Sequence, residues 1–469
     1  MKVDDRKQKM IKMFADRIEG TSKWEKAWIA FLIILIGFGI YAFVYTEIHG
    51  HIVTGMRDNV VWGVYIANFI FFMGLGYAGA ILAGTLRLLR VKWRSSIMRI
   101  IELSTLISVL IGPIYILLCI GRLDRLTHLF THGRIQSPIT WDVLAVLTFI
   151  TASVIFLYLA VIRDFAILRD SGMIKGKWRN KIYKILSVNY NDEPRQHKDI
   201  NLALDIMAAI IIPISVLLST ILSWIFGMTL RPGWNSTIFG PYFVFASLYS
   251  GTALVIIIMF IYLKLYKLDE YITKKHFERL GTLLLILAAL YGYFTFNEYF
   301  TIWYSFEKWD SELLIKLFDL DQYYLQFIFA NFVGILLPIL IIGIPWLRTM
   351  RITLAPTGVT IIEKKTGAST INSIVFSAVI VVLALWVKRY LIVIPTLETP
   401  LLPIDDLRPE YIRYSMTWVE WALTIAGPAM FCLLFTLATK FFPIIPIRDF
   451  DEEEKTIENV DLQTDQLKA

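Results

Sequence analysis

Ten apolar runs of about 20 residues dominate this chain of 469 residues. A run of that length can cross the roughly 30 Å hydrocarbon core of a bilayer as a helix, which satisfies its own backbone hydrogen bonds. The runs are continuous rather than alternating, which argues against a transmembrane β-barrel. We therefore predict an all-α integral membrane protein with about ten transmembrane helices. The expected spans are 27–45, 61–86, 100–120, 139–162, 203–227, 239–263, 280–297, 323–347, 370–387 and 418–439.

The distribution of Lys and Arg predicts the orientation of these spans. With the N-terminus inside, 35 of the 46 Lys and Arg residues fall in inner segments and 11 in outer loops, with none inside a span. Cytoplasmic loops are enriched in these residues, so both termini are expected in the cytoplasm and the chain in the cell membrane. The topology explains the net charge of +7, and we infer no nucleic-acid partner from it. No cleavable signal peptide is apparent.

Two segments of the sequence resemble each other at an offset of 177 residues. The matched positions are Gly63, Tyr65 and Gly74 in the first copy and Gly240, Tyr242 and Gly251 in the second. Four spans separate the copies, so both begin outside and run inward as a parallel repeat. We predict two tandem four-helix bundles, spans 2–5 and spans 6–9, with spans 1 and 10 peripheral.

Flanking segments complete the predicted organisation. The chain divides into an amphipathic cytoplasmic N-terminus at 1–26, a first helix and outer loop at 27–60, a first bundle with its cytoplasmic loop at 61–202, the remainder of that bundle and the second bundle at 203–417, a last helix at 418–445, and an acidic cytoplasmic tail at 446–469.

The inventory of ligand-forming residues argues against an internal redox centre. Cys119 and Cys432 are far apart in the chain, whereas an iron–sulfur cluster needs four Cys, or two Cys with two His. The six histidines lie in loops or at span ends, so none projects from a span as a haem ligand would. We predict no haem, iron–sulfur cluster or metal in this chain.

The outer loop between spans 3 and 4, residues 119–144, is unusually rich in titratable side chains. It holds Arg122, Asp124, Arg125 and His128, and Asp142 follows where span 4 begins. Two interpretations remain open: a solvated loop with local Arg–Asp pairs, or the polar mouth of a ligand site. Asp142 also has two interpretations, because an acid in a first helical turn suits the helix dipole, whereas an intramembrane acid suggests function.

Other carboxylates lie near the predicted span ends. Glu102 begins span 3 and Asp205 lies near the inner end of span 5, while Glu298 and Glu420 lie near outer ends. Glu298 is expected to be an interfacial acid in contact with water. Glu420 has two interpretations, an interfacial acid in contact with water or a functional acid within the membrane.

Several stretches together resemble the NrfD/PsrC family of membrane quinone-reactive subunits, particularly its ten-span members in alternative complex III and the DsrP/HmeB-like complexes. They are WGVYIANFIFFMGLGYAG, GRLDRLTHLFTHGRIQSPITWDVL, IRDFAILRD, IFGPYFVFASLYSGTALVI, NEYFTIWYS and WVKRYLIVIPTLETPLLP. The resemblance covers spans 2 to 10. It implies a quinol site near the outer face, beside a ferredoxin-like iron–sulfur subunit, with a molybdopterin or cytochrome subunit beyond it.

The resemblance also implies roles for individual residues. Asp142 is expected in proton chemistry at the quinol head, with Trp141 beside it at the membrane interface. Arg122, Asp124 and Arg125 would border the site or dock the partner, and Glu102 would lie on a proton path from below. Alternative complex III relatives tend to have His where this chain has Tyr77 and Cys119. Tyr77 can still donate a hydrogen bond to a quinone, and His128 is a candidate to replace the missing histidines.

The function predicted from these features is that of a quinone-binding oxidoreductase subunit, with menaquinone or a similar quinone as bound substrate, acting only within a respiratory complex. Two alternatives come from other classes: a non-catalytic membrane anchor and a secondary transporter. A transporter would favour broken helices at the bilayer midplane. The pairs Gly112–Pro113 and Gly427–Pro428 do not recur at the repeat offset, so that signal is poor.

Overall fold

A computed structural model describes residues 3–174, 176–354, 360–364, 370–399 and 413–448. Within these residues, ten helices are long and apolar enough to cross a membrane, which confirms the predicted fold class. They are α2 (Lys23–His49), α3 (Gly63–Leu88), α4 (Ser95–Ile120), α6 (Pro138–Asp170), α8 (Pro194–Gly227), α9 (Phe239–Tyr266), α10 (Lys274–Ser305), an eighth span over Tyr324–Leu347, α15 (Ile371–Leu397) and α16 (Trp418–Ala438).

Shorter elements lie outside the spans or build the eighth one. They are α1 (Val3–Glu19), α5 (His128–Thr131), α7 (Lys177–Leu186) and α11 (Lys308–Phe318), the segments α12 (Tyr324–Phe327), α13 (Gly334–Pro338) and α14 (Ile344–Thr349) of the eighth span, and the strands β1 (Met350–Leu354) and β2 (Thr360–Lys364). The two strands pair antiparallel. Most of the predicted acidic tail, and residues 400–412 of the predicted outer loop, lie outside the described residues.

The eighth span differs from the others because its α-helical hydrogen bonding is interrupted twice. Wider π-helical turns replace it at Ile328–Val333 and at Ile339–Gly343, on either side of α13. Such turns often occur at functional sites. By contrast, α4 and α16 remain continuous through Pro113 and Pro428. The helix interruption therefore lies in the eighth span and not at the Gly–Pro pairs of the sequence.

The helix α3 forms the centre of the molecule, and nearly all of its residues are buried. It packs against α4 and α8 of the first bundle, and also against α9 and α15 of the second. The helices α2 and α16 pack together beside the bundles. Many large apolar side chains of α2 are exposed, as expected for a helix that faces lipid.

Repeat glycines bring the two bundles together. Gly74 of α3 lies against Ser247 of α9, and Gly251 of α9 lies against Ala78 of α3, so closely that an added Cβ would clash. Both contacts have the same register, which fits two parallel helices. Small residues at such contacts let membrane helices approach closely and gain van der Waals packing.

We predict that Gly251→Val weakens the contact between the bundles. The added side chain would overlap Ala78, and overpacking of this kind destabilises by about 1–3 kcal/mol. Thermal unfolding of the detergent-solubilised protein should therefore shift to lower temperature. Gly37→Val in α2 is the matched control, because a Cβ there meets no atom within 4 Å. Equal unfolding temperatures for the two variants would contradict this role of the contact.

Candidate functional site

In the orientation expected from Lys and Arg, loop 121–137 lies on the outer side of the membrane. Asp142 lies in the outer half of α6, and its side chain is buried, with a relative exposure of 4%. The helix begins at Pro138, which makes Asp142 its fifth residue, and the first turn contains no acid. The prediction of an acid in the first helical turn is therefore wrong. Among the described residues, the Asp142 Oδ1 atom has no hydrogen-bond partner.

Tyr77 of α3 reaches the same region from the centre of the molecule. It is fully buried, and its ring packs against Phe149 of α6 with centroids 4.8 Å apart. Asp142 lies close enough to interact with Tyr77 electrostatically. No described residue forms a hydrogen bond with the Tyr77 hydroxyl. The fold thus brings together two polar side chains, each with an atom that lacks a partner in the described part of the chain.

The helices α3, α4 and α6 meet around these two residues. Gly76 lies where they meet, since the position of its absent Cβ is 3.4 Å from Val109 and 3.5 Å from Phe149, an ordinary van der Waals distance. Within one turn of these neighbours lie two more buried hydroxyls, on Ser108 and Ser153, for which the described part of the chain supplies no partner. Buried polar groups are nearly always hydrogen-bonded, so ordered water or a polar ligand would stabilise these groups.

The outer loop residues occupy the surface rather than this interior. Arg122 and Asp124 form an exposed ion pair at 2.8 Å, and hydrogen bonding from Arg122 lowers the pKa of Asp124 below its usual value. Arg125 and His128 are exposed as well. The described contacts join none of these four side chains to Asp142. Their position suits contact with a partner or with water.

Two aromatic groups of this loop have local contacts. The Trp141 indole is half-buried and donates a hydrogen bond to the Ile135 carbonyl, so it anchors the start of α6. The rings of His128 and His132 lie 5.3 Å apart in an edge arrangement. Within the described ranges, no group of three or more His, Cys, Asp or Glu side chains lies close enough together to hold a metal ion.

Glu102 belongs to a buried ionic network near the inner ends of the helices. Arg99 is fully buried and donates to Glu102 at 3.3 Å and to Asp164 at 2.6 Å. Asp164 also accepts from the Ile447 amide. Asp142 and Asp164 are 22 residues apart on α6, or roughly 33 Å at 1.5 Å per residue. The fold therefore does not bring Glu102 to the Asp142 site.

The second bundle contains an ion pair that the sequence did not reveal. Lys388 of α15 donates to Glu298 of α10 at 2.9 Å and to the Tyr299 hydroxyl at 2.5 Å, and Lys388 and Glu298 are both buried. The interpretations of Glu298 as a water-facing acid and of Lys388 and Arg389 as outer-loop residues are wrong. The helix α15 continues to Leu397, so Lys388 and Arg389 lie within it. The ion pair with Glu298 stabilises the charge of Lys388 away from water.

Glu420, the other acid near an outer span end, is also fully buried. It accepts from the amides of Gly55 at 2.8 Å and Thr417 at 2.9 Å, and from the Tyr414 hydroxyl at 2.5 Å. These bonds form a capping box and attach the loop before α3 to α16. Of the two interpretations of Glu420, contact with water is therefore wrong, and the contacts indicate a structural role.

His51 is one of the six histidines, and no role was predicted for it from the sequence. It lies just after α2, packs against Gly121, and its two ring nitrogens have no partner among the described residues. Burial lowers the pKa of His51, although Glu47 and Glu420 act in the opposite direction. Burial therefore favours the neutral imidazole.

Comparison with known proteins identifies a family and several relatives. Residues 52–401 match the family described as "Polysulphide reductase, NrfD". A putative dimethyl sulfoxide reductase membrane subunit of Halobacterium salinarum is 29% identical over 234 residues, which are 50% of this chain and 51% of that protein. This match thus spans about half the length of that relative.

Two further relatives match over most of their length. A selenate reductase subunit of Mesobacillus selenatarsenatis is 21% identical over 397 residues, which are 82% of this chain and 86% of that protein. The menaquinone reductase integral membrane subunit of Nitratidesulfovibrio vulgaris is 23% identical over 455 residues, which are 89% of this chain and 91% of that protein. All three relatives are named as subunits of reductases.

The position of Glu102 generates a prediction about stability. Replacing Arg99 with Leu removes the cation that Glu102 and Asp164 share, and breaking a buried ion pair costs about 3–5 kcal/mol. The Arg99→Leu variant should therefore unfold at a much lower temperature, whereas Arg195→Leu, at an exposed position near the inner end of α8, should not. Glu102→Gln should also lower the unfolding temperature. A Glu102→Gln variant of unchanged stability but slowed turnover would instead support a proton path.

Proposed function

Since the chain belongs to the NrfD, or polysulphide reductase, family of integral membrane proteins, we propose that it is the quinone-reactive subunit of a respiratory reductase complex. In this role it binds quinone or quinol in the first bundle, near the outer membrane face. It exchanges electrons between that molecule and a partner subunit. The menaquinone reductase relative supports a quinone as substrate by its name.

The observation that carries this proposal is the buried pair Asp142 and Tyr77, each with a polar atom that lacks a partner in the described residues. A carboxylate or hydroxyl left in that condition costs free energy unless a ligand or water satisfies it. A quinone head offers carbonyl oxygens, and a quinol head offers hydroxyls. A quinol head can bond both side chains, while its isoprenoid tail lies among the apolar helices.

The chemistry assigned to this pair is proton transfer and orientation. Oxidation of one quinol to quinone releases two protons and two electrons, and reduction takes up the same numbers. The Asp142 carboxylate accepts one of the two protons from a quinol hydroxyl, the other proton leaves to water, and both electrons pass to the partner subunit; the reverse reaction returns them. The Tyr77 hydroxyl donates a hydrogen bond to the quinone carbonyl and holds the head in place.

Electrons must pass to or from another subunit in this proposal. The two cysteines of the chain are too few and too far apart in sequence to bind an iron–sulfur cluster. We therefore propose a ferredoxin-like iron–sulfur partner, with a molybdopterin or cytochrome subunit beyond it. The exposed charges of Arg122, Asp124 and Arg125 give that partner a surface on which to dock, close in sequence to the quinone site.

The orientation follows from charge. The excess of Lys and Arg in the inner segments places both termini in the cytoplasm of a cell whose membrane holds the complex. Asp142 then lies near the outer surface, where a proton that leaves the carboxyl has a short path to water.

A transporter is the second candidate, because the eighth span is interrupted by two π-helical segments. Interrupted helices near the midplane are typical of transporter binding sites. The interruption lies in the second bundle, whereas Asp142 and Tyr77 lie in the first. A quinone site accounts for the first-bundle pair, and a transporter would require a solute flux driven by an ion gradient.

We predict that Asp142→Asn nearly abolishes quinol turnover by the purified complex. Asn keeps the shape of Asp but cannot accept the proton, and loss of a general base lowers rates by about 10²–10⁴-fold. Tyr77→Phe should reduce turnover by about fivefold, the effect expected for one hydrogen bond. The measurement is quinol-dependent reduction of an artificial acceptor, with complex assembly checked by size-exclusion chromatography.

The repeat supplies a matched control for that experiment. Asp319 lies 177 residues after Asp142, and it already accepts hydrogen bonds from the Gln322 side chain at 2.6 Å and the Asp321 amide at 3.1 Å. Asp319→Asn should therefore keep nearly full turnover. Full activity in an assembled Asp142→Asn complex would refute the role assigned to Asp142.

A further inference from the structure

A cavity of about 530 Å³ lies in the second bundle, between α10, α11 and the eighth span. It occupies the outer half of these helices. Most of its walls are aliphatic or aromatic, and the exposed side chains of Phe296, Trp303 and Leu336 belong to its lining. The cavity therefore reaches the surface that faces the bilayer. Its volume falls within the range of small-molecule sites, about 300–1,000 Å³.

Two local features of the sequence create this space. On α10 the lining residues Ala288, Ala289 and Gly292 are small, so no large side chain fills the gap. Across the cavity, the π-helical turn Ile328–Val333 widens the eighth span. Such turns are rare and are frequently found at functional sites.

One polar atom in the lining, the Oδ1 of Asn331, has no direct hydrogen bond to a described residue. Asn331 lies within the π-helical turn, is 7% exposed and lines the cavity. Its Nδ2 atom donates to the Phe327 carbonyl at 3.0 Å. Because that carbonyl can only accept a hydrogen bond, the nitrogen of the Asn331 amide, and not its oxygen, must face it. The Oδ1 atom then has no hydrogen bond to any described residue. A ligand that satisfies it must be a donor.

A second polar group in the same lining is tied to the buried ion pair. The Tyr299 hydroxyl accepts from Lys388 at 2.5 Å, and Lys388 also bonds Glu298. The Asn331 side chain also lies within interaction range of this hydroxyl. Since the Tyr299 oxygen is used as an acceptor, Tyr299 can donate its own proton, either to Asn331 or to a ligand that lies between them. A hydroxyl group matches this arrangement, because it donates to Asn331 and accepts from Tyr299.

We infer that the second bundle binds a membrane amphiphile, a molecule with a long apolar chain in the cavity and a hydroxyl-bearing head at Asn331 and Tyr299. Both a quinol and a hydroxyl-bearing phospholipid have this chemistry. The inference does not depend on the proposed function, since it concerns a different bundle and different residues. The site lies between α10 and the eighth span, which correspond by the repeat to α4 and α6.

The test is the amount of amphiphile that remains bound to the purified complex after exhaustive detergent washing. Native mass spectrometry counts the bound molecules. Extracted quinone is measured by ultraviolet absorbance and phospholipid by phosphate assay, which distinguishes the two sources. The variants are Ala289→Trp, which fills the cavity from its exposed wall, and Asn331→Leu, which removes the hydrogen-bond acceptor. Ile286→Trp is the matched control, since Ile286 is exposed on the same helix but does not line the cavity.

The wild type and Ile286→Trp should retain one equivalent that Ala289→Trp loses. Asn331→Leu should retain about fivefold less, as expected for the loss of one neutral hydrogen bond. Equal retention in the wild type and Ala289→Trp would overturn the site, and full retention by Asn331→Leu would overturn the recognition of a hydroxyl. The Asp142→Asn variant should retain this bound amphiphile whether or not it turns over quinol. The proposed function and the amphiphile site can therefore be refuted separately.

Discussion

The hydrocarbon core of a membrane offers no water, so each polar side chain inside this protein must find its partner within the protein or in a ligand. Most of the buried charges obey this constraint through direct contacts, as Arg99 does at the inner side and Lys388 does in the second bundle. Asp142, Tyr77 and Asn331 are among the buried polar side chains that keep an atom unbonded among the described residues. Such exceptions indicate where a ligand would be stabilised, and they form the basis of both proposals.

The repeat provides similar scaffolds that carry different chemistry. Gly74 and Gly251 occupy matching positions, and both allow α3 and α9 to pack closely. By contrast, Asp142 is buried with an oxygen that no described residue bonds, whereas Asp319 at the matching position is bonded to its own loop. The two halves of the predicted repeat thus share a close helix contact, whereas only the Asp of the first half has the environment of a candidate proton-transfer acid.

The sequence predicted the ten spans well, because a continuous apolar run of sufficient length has few alternatives in a bilayer. It predicted the span ends less well, because a charged residue such as Lys388 can lie inside a helix when a partner such as Glu298 meets it there. Such pairs depend on tertiary contacts between distant parts of the chain. The amino-acid composition of the π-helical turns in the eighth span likewise does not distinguish them from ordinary α-helix.

The candidate site was partly predictable from the sequence. Asp142 and Tyr77 were identified by their motifs, but their proximity follows from the packing of α3 against α4 and α6, which the sequence pattern does not specify. Glu102 was a candidate for a proton path, which the family resemblance implied. The structure places it in an ionic network with Arg99 and Asp164, because carboxylates on two different helices can share one cation only after folding.

Photoaffinity labelling with an azidoquinone would locate the bound quinone head on the chain. The purified complex would be irradiated with the probe, with and without excess unlabelled quinone, and the modified peptides identified by mass spectrometry. If Asp142 and Tyr77 hold the head, labels that competition removes should fall on α3 or α6 near Tyr77, Asp142 and Phe149. Competed labels confined to other helices, with α3 and α6 unmodified, would contradict a quinone site in the first bundle.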